Sequence, residues 1–164
     1  MTDLGFLHYC LGVEVWQTGG SIFISQSKHA CSLLDKFQMQ DCKLVSTTME
    51  QGLKLATKYN SLVVSESTFR QLVGSAIYLI ATRPDLSFAM SYISCFMTAP
   101  KADHWVATKC VLRYVKGTFD FGILYSTSHD PRLIGFTDSD WVGFTNDKKS
   151  TSGYVFNLGS GAVT

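Results

Sequence analysis

The hydrophobic positions of this chain change period more than once, and each change marks a new kind of element. From Leu11 to Trp16 they alternate with period two, Thr18-Gly19-Gly20 interrupts the run, and Ile22-Phe23-Ile24 resumes it. That pattern predicts a β-hairpin, with the glycines supplying positive φ at the turn. Ser25 reads as the N-cap of a helix from Gln26 to about Phe37, because Ala30, Leu33, Leu34 and Phe37 share one helical face. Between Gln38 and Ser65 the period is lost, as in a linker lying across a surface. A helix from about Glu66 to Thr82 follows, with Phe69, Leu72, Val73, Ala76, Ile77 and Ile80 on its apolar face. Pro84 suits the first position of another, running to about Met97 with Leu86, Ala89, Met90, Ile93, Phe96 and Met97 apolar. A fourth helix, from about Asp103 to Lys116, buries Trp105, Thr108, Val111, Leu112 and Val115 and is closed by Gly117.

Period two then returns. Gly122 to Tyr125 reads as a strand, His129-Asp130-Pro131 as a turn and Arg132 to Asp138 as a second strand. A polar loop, Gly143 to Lys149, leads back into Tyr154 to Leu158, and Gly159-Ser160-Gly161 turns towards a third strand. The expected class is α+β, in three regions: 1–60 with the hairpin, helix and linker, 61–118 with the remaining helices, and 119–164 with the last strands.

Composition narrows the function more than the fold. At 164 residues, 46% hydrophobic and 16% charged, the chain suits a soluble domain with a core. A formal net charge of +1 gives no overall basic signature, so a nucleic-acid role requires a local patch or the remainder of a larger protein. The five cysteines (Cys10, Cys31, Cys42, Cys95, Cys110) have no zinc-like spacing and read as reduced, mostly buried thiols of an intracellular protein. His8, His29, His104 and His129 are scattered, and none reads as a ligand. Neither a signal peptide nor a run of about 18 apolar residues is evident, which argues against secretion and membrane insertion. No phosphate-loop, dinucleotide or zinc-protease motif occurs.

Two features carry candidate chemistry. On the helix from Glu66, Arg70, Gly74 and Tyr78 are spaced i, i+4, i+8 and form a stripe apart from the apolar face. A glycine inside a helix costs about 1 kcal/mol against alanine, so Gly74 serves either close helix packing or the approach of a nucleic-acid backbone between a cation and a ring. Helix geometry by itself favours packing. The other feature is Asp138 at the end of an apolar strand, which reads as a turn former, a solvated charge or a metal-binding carboxylate. Lys109, Arg113 and Lys116 give the fourth helix a basic row, read first as a solvated face and second as a phosphate track.

The string Gly135-Phe136-Thr137-Asp138-Ser139-Asp140-Trp141, with Lys149-Ser150-Thr151-Ser152-Gly153-Tyr154, closely resembles the start of the ribonuclease H domain in Ty1/copia-type retrotransposon Pol polyproteins. The resemblance covers nearly the whole chain. His8-Tyr9 and Leu11-Gly12-Val13-Glu14 match the family's "HYFLGIEV", with Cys10 in place of its usual Phe. Arg70 to Leu79 match "YRQLVGSLMYL", and Ala81 to Ser91 match "ATRPDISFAVS". The fold this implies is the end of a reverse-transcriptase palm and its thumb, followed by the first strands of a ribonuclease H-like sheet.

By the same resemblance, Leu11, Gly12 and Glu14 belong to a primer-grip hairpin, and Arg70, Gly74 and Tyr78 to a helix tracking the minor groove of a template–primer. Lys109 and Arg113 are weaker nucleic-acid contacts, and Asp138 is the first of four carboxylates that hold Mg²⁺ in the parent enzyme. The other three are expected beyond Thr164 and the polymerase's paired aspartates before Met1, so the expectation is a chain that binds RNA–DNA hybrid or other duplexes but is catalytically silent alone. Its expected partners are the rest of the Pol polyprotein and a second copy meeting it at an unpaired strand edge, with no membrane. The rival expectation is a co-opted interaction or effector protein that keeps the fold. An unrelated small enzyme finds no complete constellation here.

Overall fold

The computed structural model describes residues 5–55, 62–127, 130, 132–139 and 152–163. Within them the chain runs β1 (Tyr9–Cys10), β2 (Val13–Thr18), β3 (Ser21–Ser25), α1 (Ser27–Lys36), α2 (Glu66–Tyr78), α3 (Ser87–Ser94), α4 (Ala102–Gly117), β4 (Gly122–Ser126), β5 (Leu133–Ser139), β6 (Ser152–Leu158) and β7 (Gly161–Ala162). Short 3₁₀ turns at Leu79–Ala81 and Pro84–Leu86 extend α2 and lead into α3. The strands form two antiparallel sheets, ordered β1-β2-β3-β4 and β5-β6-β7. This is the mixed, antiparallel α+β class that the periodicity predicted.

The helices share one core because each has a single apolar stripe to bury. Phe69, Leu72, Val73 and Ala76 of α2 meet Ala89, Met90 and Ile93 of α3, Val111, Leu112 and Val115 of α4, and Ala30, Leu33 and Leu34 of α1. Met49, Leu53 and Leu55, from the stretch without a period, lie against this core, and the Leu55 amide donates to the Tyr92 hydroxyl at 2.9 Å. Ile77, expected on the buried face, is exposed, since it sits at the rim of the α2 stripe.

An ion pair fastens the helical body from within. Arg83 is 3% exposed, and its guanidinium donates to both carboxylate oxygens of Asp85 at 3.0 and 2.7 Å. It also donates to the Thr118 carbonyl and hydroxyl, each at 2.7 Å. The same group lies over the rings of Tyr114 and Phe121. Burial pushes the Asp85 carboxyl up, but the hydrogen bonds and charge of Arg83 outweigh it and leave the group below its ordinary value of 3.8. The end of α4 is thereby tied to the turn before α3.

The first sheet corrects the expected turn chemistry. Left-handed backbone falls on Leu11 (φ 46°) and Gly12 (φ 78°), which join β1 to β2, and not on the glycines at 19 and 20. Two consecutive positive-φ residues match the two-residue turn that best follows strand twist. Nor does Ser25 cap α1: the cap position is Gln26, which makes no side-chain cap bond. Glu14 replaces it. Its buried carboxylate accepts from the Lys28 amide at 3.3 Å and pairs with the Lys28 ammonium at 3.4 Å, so a strand residue satisfies the first turn of the helix.

β4, grouped by sequence with the strands after it, pairs with β3 from Gly122↔Ser25 to Ser126↔Ser21. A Cβ on Gly122 would come within 2.1 Å of the Ile24 carbonyl oxygen, so β3 and β4 approach this closely only at a glycine. β4 also touches the second sheet, where the Tyr125 hydroxyl donates to the Ala162 carbonyl at 2.5 Å. The five cysteines depart from expectation as well: Cys10, Cys31 and Cys95 are exposed, Cys42 and Cys110 half-buried. Cys31 stands one residue off the face made by Ala30, Leu33 and Leu34, and Cys10 fills no core position.

β5 and β6 pair antiparallel as the sequence implied, with Asp138 opposite Gly153. Every residue of β5 is exposed, including Leu133, Ile134 and Phe136, and so are Tyr154, Phe156 and Leu158 of β6. The loop from Gly143 to Lys149, Asp140-Trp141, Ser150-Thr151 and the turn residues His129 and Pro131 lie outside the described residues. No helix among the described residues is long and apolar enough to cross a membrane.

Candidate nucleic-acid interface

The stripe on α2 is real and open. Gly74 is exposed, and a Cβ built on it meets nothing within 4 Å. Close helix packing therefore does not explain this glycine. Without a side chain it leaves a flat step on a helix whose opposite face is fully buried. Arg70 stands one turn before it, with its side chain about half exposed. It is not a free cation: it pairs with Glu66 at 2.9 Å, and its Nε donates to the Met97 carbonyl at 3.2 Å. These bonds hold the guanidinium against α2.

Tyr78 ends the stripe, and it is where the two sites singled out from sequence meet. Its hydroxyl donates to the Leu11 carbonyl, across 67 residues of chain. A Cβ on Gly12 would fall 2.5 Å from that hydroxyl, so Gly12 meets two demands at once, positive φ and room for the ring. The hairpin turn and the helix stripe are thus one continuous surface. Leu11 is 85% exposed, and Tyr78 is 43% exposed. Glu14 takes no place on that surface; its carboxylate is buried beneath, at the start of α1.

Neighbours that sequence reasoning missed complete the joint. His29 of α1 meets the Tyr78 ring edge-on, centroids 4.9 Å apart, and its Nε2 lies 3.0 Å from the Ser75 carbonyl oxygen. Lys28, beside it, lies over the Tyr9 ring at 5.4 Å. The only sequence signal for this was that Lys28 and His29 fall off the apolar face of α1, which says exposed and nothing more.

Lys109 and Arg113 lie elsewhere. Lys109 rests over the Trp105 ring at 5.5 Å. Arg113 borders a cavity of about 270 Å³ between α4 and residues 49–55, to which no stripe residue contributes. Lys116, the third of the row, donates to the Cys42 carbonyl at 2.8 Å. A row that reads as a solvated face is engaged with its own fold, because the stretch after α1 returns across α4.

Asp138 has no comparable support. It is exposed on β5, opposite a glycine, and among the described residues no three His, Cys, Asp or Glu side chains gather. Mg²⁺ requires several oxygen ligands in near-octahedral places. The described residues do not by themselves make a Mg²⁺ site.

Comparison with known proteins places the sequence in a family. The chain is 39% identical over 153 residues to the retrovirus-related Pol polyprotein from transposon RE2 of Arabidopsis thaliana, a match covering 93% of this chain and 10% of that protein. It is 36% identical over its full length to an uncharacterized mitochondrial protein of the same plant, covering 68% of it. A secreted RxLR effector protein of Plasmopara viticola is 41% identical over 93 residues, 56% of this chain and 66% of the effector. The chain spans about a tenth of the length of the Pol polyproteins it matches. No protein-family profile matches it, and no solved structure does. Similarity at this level along nearly the whole chain shows that it belongs to the Pol polyproteins of Ty1/copia-type retrotransposons.

Proposed function

We propose that this chain contributes a template–primer-binding surface of a retrotransposon reverse transcriptase, with residues 1–60 as the palm end, 61–118 as a thumb-like body and 119–164 as the start of a ribonuclease H-like sheet. One observation carries the reading: Tyr78 of the α2 stripe is bonded onto Leu11 of the hairpin turn, so residues distant in sequence form one exposed strip. In this reading Arg70 meets a phosphate, the bare step at Gly74 admits the sugar–phosphate backbone, and the Tyr78 ring lies against a sugar or base edge. Leu11 and Gly12 border the primer end. Glu14 supports them from below, and Lys109 and Arg113 are at most secondary contacts. The partners are RNA–DNA hybrid and the rest of the Pol polyprotein, with self-association through an exposed strand edge of the last sheet.

The proposal assigns binding to the chain and not chemistry, with Asp138 a lone member of a metal set. The test is a titration against labelled RNA–DNA hybrid with Mg²⁺ present. Expected are dissociation constants on the order of 10⁻⁴ to 10⁻⁶ M that rise with salt, and no cleavage. Cleavage abolished by Asp138→Asn, or no binding at low salt, would refute it.

The resemblance to a secreted effector favours a second reading, a protein retained for interaction with another protein. Under that reading the chain ignores duplexes and forms a stable complex with one protein. The same titration separates the two.

A further inference from the structure

We propose that His29 is the positioning residue of this strip: through Tyr78 it fixes how the hairpin turn meets α2, without touching nucleic acid itself. The inference rests on the binding reading above and deepens it.

His29 is half-buried on α1, an element with no assigned part in binding. Its Nε2 lies 3.0 Å from the Ser75 carbonyl oxygen. A carbonyl only accepts, so Nε2 carries the proton and donates, which fixes the plane of the ring. In that plane its edge meets the Tyr78 ring at 4.9 Å and 81°, the T-shaped arrangement that aromatic pairs prefer. Ser75 and Tyr78 are three residues apart on α2, so one imidazole grips the helix backbone and the functional ring together. From its other end, Tyr78 is held by the Leu11 carbonyl.

Two consequences follow. First, the Tyr78 hydroxyl proton is already spent on Leu11, so the ring, and not the hydroxyl, is offered to a ligand. Second, removing His29 leaves Tyr78 its bond to Leu11 but takes away the ring contact that orients it, and a side chain that must be re-ordered on binding costs affinity. Sequence periodicity does not show this, because the three partners come from separate elements.

The experiment measures hybrid affinity and its salt dependence for the full chain and for His29→Ala, His29→Phe, Tyr78→Ala, Arg70→Ala and the double variant His29→Ala with Tyr78→Ala, each with its unfolding midpoint. His29→Ala should weaken binding about tenfold while leaving the salt slope unchanged, because no phosphate contact is lost. Arg70→Ala should lower that slope by about one. The double variant should bind about as weakly as Tyr78→Ala, since both changes remove one interaction. His29→Phe keeps the ring contact but loses the bond to Ser75, so it should recover only part of the affinity. Additive losses, or a slope reduced by His29→Ala as by Arg70→Ala, would overturn the positioning role. So would a loss of affinity that only tracks the unfolding midpoint across the variants. Were the unaltered chain not to bind, or Arg70→Ala to bind as well as it does, the binding reading itself would fall, and this inference with it.

Discussion

The α2 strip and the β5–β6 hairpin both display conspicuous side chains, yet the protein supports them differently. Tyr78 is held by Leu11 of the first hairpin and by His29 of α1, and the helix beneath it is fully buried on its inner side. Asp138, Phe136 and Tyr154 stand on the β5–β6 pair of the second sheet, where almost every residue is exposed. Convergence of distant elements fixes a side chain before a ligand arrives; a hairpin alone supplies register and little else. Similar prominence in the sequence does not imply similar support in the fold.

The sharpest way to break the comparison is to remove what holds the helical body. Arg83→Ala leaves Asp85 partly buried without its cation and frees the Thr118 end of α4. Asp85 keeps 37% of its side chain exposed, so water screens the charge left behind; with the bonds to Thr118 also lost the cost should be about 2–3 kcal/mol, which urea unfolding would register as a fall in midpoint. Exposed Arg132, paired with Asp130 just before β5, should change stability by less than about 1 kcal/mol when replaced by alanine.

At the strip, Tyr78→Ala should cost about 1–3 kcal/mol of hybrid affinity, the usual worth of a stacking ring, measured at fixed salt. Tyr154→Ala on β6 should leave that affinity unchanged. A larger effect at Tyr154 than at Tyr78 would reverse the comparison.

Acid should weaken the helical body through Asp85. The Asp85 carboxyl is depressed below 3.8 in the folded protein, so its contribution is complete above that value and is lost as pH falls through the lower, folded pKa. Urea midpoints should therefore fall as pH drops below 3.8, and fall less steeply in Arg83→Ala. An identical acid dependence in that variant would contradict the assignment.

The smallest effect concerns tuning. Glu66 holds Arg70 in an exposed pair, so Glu66→Gln should loosen the guanidinium, which keeps its bond to the Met97 carbonyl, and tighten hybrid binding about twofold, in line with a pair worth about 0.3–0.5 kcal/mol.

Much of the fold was legible because period carries it. The helical faces, with Phe69, Leu72, Val73 and Ala76 as the clearest, were read nearly residue for residue, and so was the β5–β6 pairing. The misses are tertiary. Glu14 capping α1, β4 joining β3, and Lys116 turning to Cys42 each join residues 14 or more apart, and no local pattern encodes them. The Arg-Pro-Asp tripeptide at 83–85 was visible in the sequence, but the burial of Arg83 was not, since it depends on where α4 ends. Of the site, the strip of Arg70, Gly74 and Tyr78 was legible as a face. Its junction with Leu11 required folding, and His29 looked like any scattered histidine.

Ultraviolet cross-linking of the full chain to labelled RNA–DNA hybrid, with the adducts mapped by mass spectrometry, tests the central claim most directly. The account predicts adducts at Tyr78, with neighbours at Tyr9 or Leu11, that fade as salt rises. Adducts confined to Phe136, Tyr154 and Phe156 would contradict it, and so would a chain that cross-links to no nucleic acid at low salt.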